Sequence, residues 1–360
     1  MSSTLPKQAR WPHPIRLWKV LAISLSVLIL VTVGLVGMLS FRNSQQAIYQ
    51  LAAKNMDLIG DQIQQHLDEY LENACRINQA NANSVKYGDL KLGDLTTLEK
   101  RLFAQLKTFE DVSTVFFATP QGMVRGAGRD SGNELIITAD YTKTIAFFSY
   151  AVDEYGNKRE LVNSVPGIDV RHDRPWYTLA VKNGKPGWTP VFQIANFKTL
   201  TINAFYPIYD QASRALLGVF SVNIPLQHIS QFLQTFQRGS TAALFILDAD
   251  GYLIGSASDP IPFTVERQQE WQTFRRMQPQ DSENPVIRET AAYLHQVLPA
   301  WDQNHSEQQL SFRGQNDRYY IQTHPYFRDN NLTWLIVEVV PGRNCAVAVQ
   351  GNFQEVHPLN

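Results

Sequence analysis

The sequence predicts a mixed α+β protein: a long N-terminal helix continuing a membrane-spanning helix, then two tandem modules, each built on an antiparallel sheet. Three observations carry this. Val20 to Leu39 is an uncharged apolar run of twenty residues; apolar residues recur with helical period from Ser44 to Asn83; and a strand–turn–strand segment at Val115 to Gly126 returns at Leu244 to Gly255.

A helix rises about 1.5 Å per residue, so the run from Val20 to Leu39 matches a hydrocarbon core of about 30 Å. Lys7, Arg10, Arg16 and Lys19 precede it and only Arg42 follows closely. Positive charge is retained in the cytoplasm, so residues 1–19 are expected inside as a short tail and the bulk of the chain outside. The alternative is a cleaved signal peptide, whose apolar stretch is about 7 to 15 residues long and ends at small residues. Gly37-Met38-Leu39-Ser40 fits such a site poorly. Later apolar strings such as Trp334 to Val340 stop far short of the roughly 17 residues needed to cross.

Beyond the span, Ile48, Leu51, Ile59, Ile63, Leu67, Leu71, Ala74 and Ile77 form the apolar stripe of one long helix. Thr96 and Glu99 read as a capping box ahead of Leu98, Leu102, Leu106 and Phe109, so residues 40–110 hold the long helix and a connecting helix. From Asp111 the texture becomes short β-rich strings: Ser113–Ala118, Met123–Arg129, Thr144–Val152, Thr189–Ile194, Leu200–Tyr209 and Ala215–Asn223. Helices are expected at Arg174–Lys182 and Pro225–Phe236, giving a first module over 111–238.

The second module, 239–342, begins near Arg238-Gly239-Ser240 with the repeated hairpin. Its end repeats too: Pro207 to Asp210 followed by Leu216 to Asn223 resembles Pro325 to Asp329 followed by Leu332 to Val340. Between them, polar Asp259 to Glu283 is expected to be a loop with a short helix around Gln268 to Met277, and Asn284 to Leu298 a helix. Residues 343–360 form a tail.

With 44% hydrophobic and 18% charged residues and a formal net charge of -1, neither disorder nor a nucleic-acid partner is indicated. Cys75 and Cys345 could be single thiols or a bridge. Asp248 to Gly251 superficially opens a calcium loop, but the twelfth position is Asp259 rather than glutamate, and Asp-Gly between strands is what a hairpin needs. His172, His228, His295, His305, His324 and His357 show no ligand spacing, so no metal is expected. Phosphate loops, Gly-x-Ser-x-Gly elbows and His-Glu-x-x-His helices do not occur, so neither a cofactor nor an enzyme activity is expected.

The densest chemistry lies in Asp169 to Tyr177, running through Gly184 to Trp188. An arginine and two large aromatics at a helix start can fork a carboxylate and stack on its body. The structural alternative is that Trp176 and Tyr177 fill a core while Arg174 pairs with Asp173.

Arg174-Pro175-Trp176-Tyr177, then Gly184 to Trp188, Phe205 to Asp210 and Leu217 to Pro225 together resemble the double Cache sensor domain of bacterial transmembrane receptors, over about Ser44 to Gly342. The resemblance implies PAS-like modules, a ligand in the membrane-distal first module, and a signal carried through the long helix. It also implies that Arg174 holds a ligand carboxylate while Trp176 and Tyr177 wall the pocket. Where amino-acid-binding members carry a tyrosine and two acidic residues, this chain has Asp169, Ile194 and Asn223. An ammonium without a counter-charge in a pocket costs several kcal/mol, on the order of a buried unpaired ion. A carboxylate or neutral polar ligand is therefore expected, with Asp169 at the site and Asn203 and Asn223 as hydrogen-bond partners. Such receptors continue into a second span and an output domain, so the chain is expected to be the sensor part of a truncated or split receptor, or to act through a homodimer or a partner signalling protein. An anchored interaction module and an extracytoplasmic enzyme are the competing classes.

Overall fold

The computed structural model describes residues 17–130, 132–194, 197, 199–237, 243–268, 271–299, 306–328 and 332–342. Cys345, the expected module boundary at 238–240, most of the N-terminal tail and the C-terminal tail lie outside them. The chain divides into two compact units, Met1–Ala52 and Ala53–Asn360.

In the first unit, helix α1 (Leu17–Lys86) contains the apolar run: Leu21–Ser40 has a mean hydropathy of 2.5 and none of it is buried. Two of its hydroxyls bond within the helix, Ser24 donating to the Leu21 carbonyl and Thr32 to that of Leu28. That is the arrangement a helix in hydrocarbon requires.

From Ala53 onward the helical stripe is buried, with Met56, Ile63, Leu67, Leu71, Ala74 and Ile77 inside. Helix α2 (Leu95–Thr108) follows, but its cap differs from the expected one. Asp94 accepts from the Thr97 amide (3.1 Å) and hydroxyl (2.6 Å). Glu99 turns inward instead, 3.0 Å from both Arg125 and Lys158. An aspartate two residues earlier outcompetes the Thr96 hydroxyl for the free amides of the first turn.

The first sheet contains β1 (Thr114–Ala118), β2 (Met123–Asp130), β3 (Asn133–Asp140), β4 (Thr144–Val152) and β5 (Lys158–Pro166). Helices α3 (Val170–Asp173) and α4 (Pro175–Asn183) precede β6 (Gly187–Trp188), β7 (Phe192–Gln193), β8 (Leu200–Tyr209) and β9 (Leu216–Pro225), and α5 (Leu226–Gln237) closes the segment. The strand order is β5-β4-β3-β2-β1-β9-β8-β6, with β7 also on β8. In place of the single strand expected over Thr189–Ile194, β6 just before it pairs with the middle of β8, and β7 within it pairs with the start of β8. Pro190 between them has no N–H to continue a ladder.

Next come β10 (Ala243–Asp248), β11 (Leu253–Ser256), β12 (Phe263–Gln268), β13 (Trp271–Arg276), α6 (Pro285–Val297), β14 (Gln308–Arg313), β15 (Arg318–Arg328) and β16 (Leu332–Pro341). The second sheet runs β11-β10-β16-β15-β14, so its first four positions repeat β2-β1-β9-β8. Both repeated segments form hairpins, with registers one residue apart: Gly126 faces Phe116, while Gly255 faces Ile246, next to a bulge, and not Phe245. Asp248 accepts from the amides of Asp250 and Tyr252 and Gly251 has φ 80°, which is turn geometry. The short helix expected around Gln268 to Met277 is a correction: Gln268 ends β12 and Trp271–Arg276 is its antiparallel partner β13. The Phe263 and Phe274 rings of this hairpin pack edge to face at 5.3 Å, a cross-strand contact that a helix would not make.

One face of each sheet shares a core with α1. Val115, Phe117, Phe220 and Val222 from the first sheet and Ile246, Trp334 and Ile336 from the second join Ile63, Leu67, Leu71 and Ile77. Polar groups interrupt this seam near the start of the second unit. Glu338 on β16 is buried there, and burial, then Asp57, pushes its carboxyl well above the usual range.

Candidate functional site

The opposite face of the first sheet carries a polar ladder. Side chains on one face of neighbouring strands meet in register, and here Thr114 faces Asn223, which faces Asn203. The Asn223 amide donates to the Thr114 hydroxyl, and the Asn203 amide donates to Asn223 Oδ1 (2.8 Å) and Ser221 Oγ (3.0 Å). Both asparagines are buried, and Asn203 Oδ1 has no partner among the described residues.

Above this ladder lies a small cavity of about 30 Å³, open to solvent on one side. Its walls are Phe116, Phe147, Val170, Trp176, Phe192, Ile194 and Phe197, and its polar lining residues are Arg174 and Asn223. Two glycines make room for those rings. A Cβ on Gly126 would stand 2.1 Å from the Phe116 ring, and one on Gly128 would stand 2.7 Å from the Phe197 ring.

Arg174 sits where α3 ends and α4 begins, with φ -118° and ψ 121°. Pro175 dictates this, because the residue before a proline is excluded from the helical region. The turn delivers the half-buried guanidinium to the cavity, where Nη1 donates to the Gln193 carbonyl at 3.3 Å. No carboxylate pairs with it among the described residues; Asp173 instead accepts from the Asp169 amide at 2.7 Å. Burial lowers the Arg174 pKa, so its charge is incompletely compensated. Gln193 is held at its other end too, its side-chain oxygen accepting from the Phe274 amide of β13 at 3.3 Å.

Trp176 is buried and lies parallel to Phe116, with 6.4 Å between ring centres. Tyr177 stands edge-on behind it at 5.8 Å and does not line the cavity. Asp169 caps α3 and is gripped by Arg171 through Nε–Oδ1 (2.9 Å) and Nη2–Oδ2 (2.6 Å), which holds its carboxyl below the usual range. The structure thus gathers Arg174, Trp176 and Asn223 at the cavity, with Asn203 one strand over. It leaves Tyr177 behind the wall and Asp169 outside. Phe116, Phe147, Phe192 and Phe197 were not among the sequence candidates; the glycines opposite two of them in β2 are the local trace of their close packing.

Residues 130–231, which include the arginine, both aromatics and both asparagines, match the family described as methyl-accepting chemotaxis protein-like, first PDC sensor domain. Among solved structures, the ligand-binding domain of the Campylobacter jejuni chemoreceptor Tlp3 in complex with 4-methylisoleucine aligns with a TM-score of 0.52 at 12% identity, over 87% of this chain and 96% of that one. The Tlp3 sensory domain with isoleucine bound gives 0.53 at 12% identity over 85% and 97%. The same receptor domain with L-norvaline gives 0.54 at 11% over 87% and 97%. No curated protein matches by sequence. At these identities the likeness establishes the fold: this chain has the architecture of chemoreceptor sensor domains, the double Cache type that its sequence resembles.

Proposed function

We propose that this chain is a membrane-anchored extracytoplasmic sensor whose first module, residues 111–238, binds a small carboxylate with an apolar body and no ammonium group. The observation that carries this reading is a single guanidinium, Arg174, which bonds a backbone carbonyl and no carboxylate among the described residues, beside one amide, Asn223, in a cavity otherwise lined by aromatic and aliphatic side chains. A carboxylate would complete the arginine fork, and the rings would cover the rest of the ligand. The Tlp3 structures hold amino acids with aliphatic side chains, which suits the apolar lining. At the two places where amino-acid-binding relatives are expected to carry carboxylates, the cavity here presents Ile194 and Asn223. Trp176 serves as a wall, Tyr177 braces it, and Asn203 holds Asn223 in orientation. Binding would shift the population of two arrangements of α1, with a second copy or a signalling protein as the downstream partner.

The test is a thermal-shift and calorimetric panel on the full chain in detergent, comparing branched and aromatic monocarboxylates with the matching α-amino acids. At a hundredfold excess over Kd a true ligand adds about 2.7 kcal/mol of stability. The Ile194→Asp/Asn223→Asp variant should bind the carboxylate more weakly, through like-charge repulsion. Tight binding of a zwitterionic amino acid by the unaltered chain would overturn the reading.

The basic residues before Val20 support an N-terminus in the cytoplasm and the body outside. A reporter active only in the cytoplasm, fused after Asn360, should accordingly be silent; activity there would reverse the orientation.

A further inference from the structure

Away from the cavity, α1 meets the second sheet at His324 of β15. The imidazole is fully buried. Its Nδ1 lies 3.0 Å from Glu307 Oε1, and its Nε2 reaches α1 at Gly60, where a Cβ would stand 2.0 Å from that nitrogen. Nε2 has no hydrogen-bond partner among the described residues. Asp61 follows on the helix, and one donor atom each from Asp61, Glu307 and His324 lie within 4.8 Å of one another.

We propose that Asp61, Glu307 and His324 form a site for a divalent transition-metal ion, which fastens α1 to the second sheet. The donor set is one imidazole nitrogen and two carboxylate oxygens, with a further position left for water. Imidazole favours zinc, copper, iron or nickel over magnesium and calcium, which prefer all-oxygen shells. Bonds of about 2.0–2.2 Å to zinc place tetrahedral ligands about 3.3–3.6 Å apart. His324 is held by burial, whereas Asp61 and Glu307 are exposed, so the carboxylates can swing in to close the set. The surroundings favour a cation. Asp57 Oδ1 and Glu338 Oε2, on the same helix and sheet, are buried without a hydrogen-bond partner among the described residues. The contact between Nδ1 and Glu307 leaves the approach of Asp61 unexplained, whereas an ion held on the Nδ1 side by His324 and Glu307 accounts for all three donor groups; Nε2 faces the backbone of Gly60 and takes no part. Because the donors come from positions 61, 307 and 324, histidine spacing along the chain does not reveal them.

Zinc added to the untagged full chain in detergent, after removal of metal with a chelator, should bind one ion per chain and raise the melting temperature by several degrees. The Asp61→Asn/Glu307→Gln variant alters only exposed carboxylates. It should melt at the original temperature without zinc and lose both the shift and the stoichiometric binding. Cobalt(II) in place of zinc should give the visible absorption of a tetrahedral nitrogen–oxygen site in the unaltered chain and not in the variant. The proposal is overturned if zinc leaves the unaltered chain unchanged, if the variant keeps the shift, or if millimolar magnesium reproduces it.

Discussion

Arg174→Ala is expected to weaken binding of a carboxylate ligand about tenfold to a hundredfold while leaving the melting temperature of the ligand-free chain nearly unchanged. The affinity loss follows from removing a charge-assisted bond, about 1.5 to 3 kcal/mol. Stability is spared because the side chain gives the fold little. Its hydrogen bond runs to the Gln193 carbonyl, and the turn it occupies is set by Pro175. Arg174→Lys should fall between, keeping the charge and losing the planar fork. Calorimetry with a monocarboxylate from the panel decides. A lowered melting temperature with unchanged affinity would make Arg174 a brace and not a ligand contact.

Gly60→Ala is expected to destabilise the chain by about 1 to 3 kcal/mol, against the normal preference of a helix. Alanine exceeds glycine in a helix interior by about 0.5–1 kcal/mol. Here, however, the new methyl would lie 2.0 Å from His324 Nε2 and 2.3 Å from Cε1, and the ring is fully buried. Either the imidazole or the helix must move, and that cost exceeds the propensity gain. Gly60→Ala/His324→Ala removes the obstacle and should recover part of the loss. Chemical denaturation of the three proteins gives the comparison; a more stable Gly60→Ala would show that the ring does not meet the helix there.

Much of this fold was legible because its signals are local. The apolar run and the stripe of Ile63, Leu67 and Leu71 need only a count and a period, and the repeated hairpin carries its own turn residues. Strand β5 escaped because Lys158–Pro166 is an edge exposed along nearly its whole length, with no buried face to impose alternation. The β12–β13 hairpin escaped because its polar residues mask the cross-strand pair of Phe263 and Phe274.

At the site, Arg174 and Trp176 were legible in one short segment, whose proline also fixes the turn. The rest of the cavity was not, since Phe116, Phe147, Phe192 and Phe197 come from separate strands and a loop that converge only in the folded sheet. Asp169 misled for the opposite reason. A carboxylate near an arginine that could hold a ligand invites a ligand role, but the neighbouring Arg171 captures it at a distance of two residues.

Gln193 touches both halves of the body: its carbonyl receives Arg174 and its side chain receives the Phe274 amide. A ligand carboxylate that draws the guanidinium away competes with that carbonyl for the same donor. Whatever free energy links the two contacts must act in both directions by thermodynamic reciprocity. Tension or slack in the β12–β13 hairpin would then tune how tightly the cavity holds its guest, so this small two-stranded sheet would set the gain of the detector.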